Sequence, residues 1–288
     1  MTSARVLVIE HGSSDPVGRL GEWLRAEGLE LDIHDAGAGA NIPADLDGYA
    51  GLLVMGGSMG ANDDVGAPWL PAVRALLRAA VADEVPTLGV CLGGQLLAAA
   101  NGGRVQRSPE DQEFGPQLIA KRTSAATDPL FAALPITPDV IQWHFDAITA
   151  LPPGAIQLAS SPGCEQQAFR LGRLAWGLQF HIETTPEQVR EWAAEDSAAL
   201  EGYDLARILS RSDAVHADIE EVWRPFAVSF AAVVRDPATV PPNREVPTST
   251  AEPITDPAAI RAALAAELTA SRTMPMALPM PGLRPQSD

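Results

Sequence analysis

The chain has 288 residues, 46% of them hydrophobic, with a formal net charge of −17 and Lys121 as its single lysine. That is enough apolar sequence for a sizeable α/β core, but there is no basic stripe for nucleic acid, no cationic face for an anionic membrane, and no apolar run of about 20 residues to span one. Two cysteines, Cys91 and Cys164, are too few for a disulfide framework and lack zinc-ligand spacing. With Met1–Arg5 running straight into a strand pattern, the expectation is a reduced, cytoplasmic protein without metal or cofactor.

Val6-Leu7-Val8-Ile9 reads as a buried parallel strand. Asp15 is placed as the N-cap of the next helix, with Pro16 at its first position, an apolar stripe of Leu20, Trp23 and Leu24, and a stop at Gly28. Strands are predicted at 29–34 and 51–55, and the strand–helix–strand spacing argues for a right-handed βαβ unit. His11 and His34 are read as loop or strand-end residues without a chemical role. The glycine cluster Met55-Gly56-Gly57-Ser58-Met59-Gly60 lets backbone N–H groups approach a ligand. It does not enter a helix at once, so a dinucleotide site is excluded. A helix over 68–81 follows, with Trp69, Val73, Leu76 and Leu77 inward.

The next strand ends in Gly89-Val90-Cys91-Leu92-Gly93 and turns directly into a helix over 92–100. A nucleophile at such a corner is the elbow geometry usually seen with serine. The helix N-terminus favours negative charge on the sulfur, and the Leu92 N–H is aimed at a developing oxyanion. Farther on, the pattern becomes richer in hairpins, with strands at 117–120, 137–143, 156–159, 167–170 and 174–180, which predicts an antiparallel extension. The last strand delivers His181-Ile182-Glu183, where residues two apart share a face, so the carboxylate can orient the imidazole. Thr185-Pro186 then caps a helix. Helical stripes follow at Val189, Trp192, Ala193; at Leu205, Ile208, Leu209; and at Ile219, Val222, Trp223, Phe226, Phe230, with His216 read as a surface residue.

Cys91 as nucleophile, His181 as general base and then acid, Glu183 as its orienting carboxylate, and the Gly57 and Leu92 amides as oxyanion hole form one constellation at the carboxyl ends of the strands. With these motifs the sequence resembles class I (triad-type) glutamine amidotransferase domains. The resemblance rests on Gly56-Gly57, on Gly89 to Leu97, and on Gly177-Leu178-Gln179-Phe180-His181-Ile182-Glu183, and it covers about residues 5–195. Trp143-His144-Phe145-Asp146 and Cys164 to Arg170 are similar to a stand-alone subgroup related to the amidotransferase part of GMP synthase. The resemblance implies a flavodoxin-like open sheet, mostly parallel with an antiparallel extension, and helices on both faces. It implies hydrolysis of the side-chain amide of glutamine, or of a γ-glutamyl relative, through a cysteine-bound thioester. Gln95 and the Phe145-Asp146 backbone would hold the glutamyl α-groups beside Gly56, with His144 shaping that wall and Cys164 structural. Two departures stand out: Gly94, where many members have histidine or alanine, and Ile182 in place of proline, which is expected to loosen the turn presenting Glu183.

Residues 1–195 are expected to form the amidotransferase-like domain and 196–235 a helical extension packed on it. Residues 236–288 are expected to be a proline-rich flexible tail with a short helix over 256–271. No synthetase pyrophosphatase loop or Walker A motif is present in the sequence. The expected function is therefore an amidotransferase supplying ammonia to a partner, such as a synthetase, or a self-contained γ-glutamyl hydrolase. A module that keeps the fold without turnover is the remaining alternative.

Overall fold

The computed structural model describes residues 3–108 and 112–241. Its strands are β1 (Arg5–Glu10), β2 (Glu30–Asp35), β3 (Gly51–Val54), β4 (Thr87–Val90), β5 (Arg104–Arg107), β6 (Glu113–Leu118), β7 (Ala120–Lys121), β8 (Asp139–His144), β9 (Asp146–Ala150), β10 (Ile156–Ser160), β11 (Ala168–Leu171) and β12 (Ala175–Leu178). The helices are α1 (Gly18–Ala26), α2 (Leu70–Ala82), α3 (Leu92–Ala100), α4 (Pro186–Glu195) and α5 (Leu205–Arg235).

Eight strands form one sheet in the order β2-β1-β3-β4-β12-β11-β10-β7. The first five are parallel, and β12, β11, β10 and β7 continue as an antiparallel extension. Alternation along β1 shows why helices cover both faces. Val6 and Val8 join one apolar cluster with Leu20 and Trp23 of α1, Trp192 of α4 and Phe226 of α5. Leu7 and Ile9 point the other way, into a second cluster with Val73 of α2 and Leu96 of α3. Two small antiparallel pairs, β5–β9 and β6–β8, stand beside the main sheet. Among the described residues, no helix is long and apolar enough to cross a membrane.

The pairing that matters most joins β4 to β12. These parallel neighbours are in register with Gly89 opposite Gly177 and Val90 opposite Leu178. The residues that follow them, Cys91 on one strand and Gln179 to His181 on the other, therefore leave the sheet side by side. The Cys91 N–H donates to the Leu178 carbonyl at 2.8 Å, and His181 is fixed from its far side by a two-bond bridge to Ile141 of β8.

Several expectations are corrected. Helix α1 begins at Gly18 behind Val17, without a side-chain cap, so Asp15 is not its N-cap. The two C-terminal stripes belong to one 31-residue helix, α5, which continues through Pro225. Its buried residues Ile219, Trp223, Phe226, Phe230 and Val234 recur at helical spacing and lie on one face. His216 is a core residue, 3% exposed, bonded to Thr184 Oγ1 at 3.1 Å and to the Ser212 carbonyl at 2.6 Å. At the start of the expected tail, Pro237–Thr239 make a 3-10 turn, and Arg173 donates to the carbonyls of Pro237 and Val240. Residues 242–288, including the expected helix over 256–271, lie outside the described residues.

His11 stands in the bend directly after β1, as expected, but it is packed rather than open to solvent. It is buried beneath the glycine loop, and the Trp69 indole donates to its Nδ1 at 3.0 Å. The neutral ring therefore carries its proton on Nε2, and burial holds its pKa down to about 4. An unfolded histidine titrates near 6.5, so the stability owed to neutral His11 is complete above that pH and is lost as the pH falls toward 4. The loss amounts to about 3 kcal/mol. His11→Asn keeps an acceptor for Trp69 without the titration. Urea unfolding from pH 7 to pH 4 is expected to show wild type losing more stability than the variant, and parallel curves would contradict this.

Candidate active site

The elbow after β4 is held by close backbone crossings. Cys91 adopts φ 50° and ψ −107°, a left-handed conformation that costs a non-glycine residue about 1–3 kcal/mol. The turn leaves no room for side chains on its glycines. A Cβ on Gly93 would overlap the Val54 carbonyl of β3, and one on Gly94 would lie 2.5 Å from the Leu178 carbonyl of β12. Gly94 is thus fitted to the neighbouring strand, which accommodates the glycine at this position. The result is a sulfur at the first turn of α3, 6% exposed and lining a cleft of about 180 Å³.

His181 and Glu183 are buried, at 1% and 0% exposure. The His181 Nδ1–H donates to Glu183 Oε1 at 2.6 Å, so the ring meets the Cys91 thiol through its other nitrogen. Burial alone would lower the pKa of this imidazole. The charges of Glu183 and Cys91, with a hydrogen bond to each, instead lift it well above the ordinary histidine value. The turn is not loosened by the residue between them: the Ile182 N–H donates to Glu183 Oε2 at 2.9 Å, a bond that proline cannot make. The Arg19 N–H holds the Glu183 carbonyl at 2.9 Å.

The sulfur has two further neighbours. The Gln179 amide donates to it at 3.9 Å, and the Trp143 carbonyl lies 3.9 Å away as an acceptor. Gln95 Nε2 donates to Gln179 Oε1 at 3.3 Å and to the Asp146 carbonyl at 3.0 Å. His144 reaches the same carbonyl through Nδ1 at 3.0 Å, while its Nε2 faces the Glu113 carboxylate at 3.1 Å. Since the Phe145 carbonyl accepts from Ser108, both backbone acceptors of that wall are already engaged. Gly57 lines the cleft beside Leu92, whose Cδ2 is 2.9 Å from where a Gly57 Cβ would stand. The structure therefore gathers Cys91, His181, Glu183, Gly56, Gly57, Leu92, Gln95, His144, Phe145 and Asp146 at one end of the sheet.

Sequence reasoning did not find Asp15, Arg107, Gln179, Glu113, Glu195 or Asp196. The one available signal was spacing at the end of α4, where Trp192 and Glu195 in the helix and Asp196 at its C-cap stand at i, i+3 and i+4. Cys164 is buried, and burial with the nearby Glu113 charge pushes its thiol up to about 12. Iodoacetamide at pH 7 is expected to modify Cys91 in the native protein and spare Cys164. Equal modification of both, read from peptide masses, would contradict this environment.

An open, largely parallel α/β sheet with a cysteine elbow facing a carboxylate-held imidazole defines a class of thiol-dependent hydrolytic folds. The sequence matches the glutamine amidotransferase class-I family over residues 19–197, and the chain belongs to that family of cysteine-based, glutamine-hydrolysing enzymes. The glutamine amidotransferase-like protein YfeJ of Salmonella typhimurium is 28% identical over 228 residues, 76% of this chain and 95% of that protein. GMP synthase (glutamine-hydrolyzing) of Thermomicrobium roseum is 38% identical over 133 residues, 46% of this chain and 23% of the synthase. The chain thus aligns with about a quarter of that larger protein. A glutamine amidotransferase of Thermotoga maritima superposes with a TM-score of 0.72 at 28% identity, over 80% of this chain and 99% of that one.

Proposed function

We propose that this protein hydrolyses a γ-glutamyl amide, glutamine or a substituted relative, through a glutamyl thioester on Cys91. The observation that carries the reading is the meeting of sulfur, imidazole and carboxylate at the ends of β4 and β12. His181 takes the thiol proton as the sulfur attacks the amide carbon, and the Gly57 and Leu92 amides receive the oxyanion. The carbon–nitrogen bond then breaks while His181 returns that proton to the leaving nitrogen. Water attacks the thioester, again with His181 taking its proton, which releases glutamate and restores the thiol. Glu183 holds the tautomer and stabilises the imidazolium. In the glutamyl half of the cleft, Gln95 is locked by Asp146 and Gln179 and presents its Oε1 as an acceptor. Arg107 and the Asp146 carboxylate complement an α-carboxylate and an α-ammonium. Gly56, His144 and Phe145 complete the wall.

Purified protein is expected to release glutamate from glutamine or from γ-glutamyl amides, and an electrophilic glutamine analogue is expected to abolish release by labelling Cys91. Release that persists with Cys91 labelled would overturn the assignment. Delivery of the ammonia to a separate synthase is a second reading, favoured by the match to part of a GMP synthase. It predicts that glutamine turnover rises when the partner is added. A silent module fits less well, because a strained Cys91 backbone costs stability and would serve no purpose without turnover. Two unpaired cysteines and thiol chemistry suit a reducing, cytoplasmic setting.

A further inference from the structure

Carboxylates and indoles line the cleft on the His181 side, and the steps above make no use of them. Asp15, Glu195, Asp196, Trp143 and Trp192 share the cleft with Cys91. The Trp192 ring lies 4.6 Å from the His181 ring and 5.8 Å from the Trp143 ring. Trp143 Nε1–H donates to Asp196 at 2.8 Å, and Trp192 Nε1–H holds the Ser14 carbonyl at 2.9 Å, next to Asp15. Asp15 is only 8% exposed. Its one side-chain hydrogen bond among the described residues is from Ser14 to Oδ2, at 2.8 Å. The other oxygen stands beside the imidazole: a Cβ placed on Gly56 would be 2.9 Å from Asp15 Oδ1 and 3.1 Å from His181 Cε1. Burial raises the pKa of this carboxylate, the His181 charge and the Ser14 hydrogen bond oppose the rise, and the Glu183 and Glu195 charges add to it. A cation in the cleft would therefore favour its ionised form. A nearly buried carboxylate, one of whose oxygens has no hydrogen-bond partner among the described residues, thus lines the same cleft as Cys91.

Reaction geometry decides which part of the substrate meets this wall. The leaving nitrogen must reach His181 to take its proton, so any group on that nitrogen extends from His181 toward Trp192 and the carboxylates. Bare ammonia leaves such a wall unused. A neutral or anionic substituent would leave the carboxylates desolvated or repelled. An organic ammonium satisfies both linings, pairing with the carboxylates and lying against the indole faces. We infer that the substrate is the γ-glutamyl amide of an amine bearing a second positive charge, a di- or polyamine, and that Asp15, Glu195, Asp196, Trp143 and Trp192 form its leaving-group subsite. This rests on the thioester hydrolysis proposed above. The balance is that of the same reaction: water is consumed, the amide bond breaks, and glutamate and the free amine leave.

The test compares glutamate release by the full chain from γ-glutamyl-1,4-diaminobutane, its uncharged isostere γ-glutamyl-n-pentylamine, γ-glutamyl-4-aminobutanoate and glutamine. The cationic amide is expected to exceed the uncharged isostere by about tenfold or more in kcat/KM, with the anionic amide poorest. Glu195 is exposed, so Glu195→Gln is expected to fold and to cut the cationic-to-uncharged ratio by about threefold. Equal kcat/KM for the cationic and uncharged amides, with release still dependent on Cys91, overturns the subsite and leaves the hydrolysis standing. No release from any of the four compounds overturns the hydrolysis and the subsite with it.

Discussion

Replacing Cys91 with serine is expected to lower glutamate release by at least about a thousandfold while leaving the protein folded. The two side chains are nearly isosteric, and the strained φ of 50° is unchanged by the exchange. Serine oxygen holds its proton far more tightly than sulfur, and an imidazole tuned to a thiol partner does not remove it at neutral pH. Because nucleophile and base act as one unit, adding His181→Ala to the serine variant is expected to cost little more. Steady-state glutamate production measures both, and far-UV circular dichroism verifies the fold. A serine variant retaining a tenth of wild-type turnover would place the chemistry elsewhere.

The largest expected effect on stability is that of Gly93→Ala. The added methyl would overlap the backbone carbonyl of Val54, in a fully buried strand that cannot retreat. Gly93 also donates its N–H to the Met55 carbonyl at 3.1 Å, which ties α3 to the end of β3. Relief therefore requires moving the elbow, the strand or both. The expected cost is more than about 4 kcal/mol, beyond the usual range of a surface substitution. Urea denaturation of the purified variant, or its failure to accumulate in soluble form, measures this. A midpoint within error of wild type would contradict the close crossing of β3 and α3.

The proposed triad was legible because each member sits where local pattern and topology agree. Cys91 stands at a strand-to-helix corner flanked by glycines, and His181 and Glu183 stand two apart at a strand end. Asp15 was misread because an acidic residue before proline is the ordinary signal of a helix start, and the tertiary placement beside His181 overrode it. Glu113 was invisible. Its bond to His144 arises from antiparallel pairing of β6 with β8 across 31 residues, in a stretch with little local periodicity. The continuity of α5 was hidden between its two stripes by the polar run Ser210-Arg211-Ser212-Asp213, which breaks the apolar pattern, while packing of Trp223, Phe226 and Phe230 carries the helix on through Pro225. His216 sits in a charged stretch of α5, and its partner Thr184 is 32 residues away, beyond any sequence window. Ile182 taught the opposite lesson: a departure from the usual proline supplies an N–H that fixes Glu183.

Acid quenching during turnover of a γ-glutamyl amide, followed by peptide mass spectrometry, tests the central claim most directly. One glutamyl group carried by the peptide containing Cys91, absent from the serine variant, is the result predicted. Glutamate release in the first turnovers with no adduct on that peptide, or with the adduct on another residue, would contradict it.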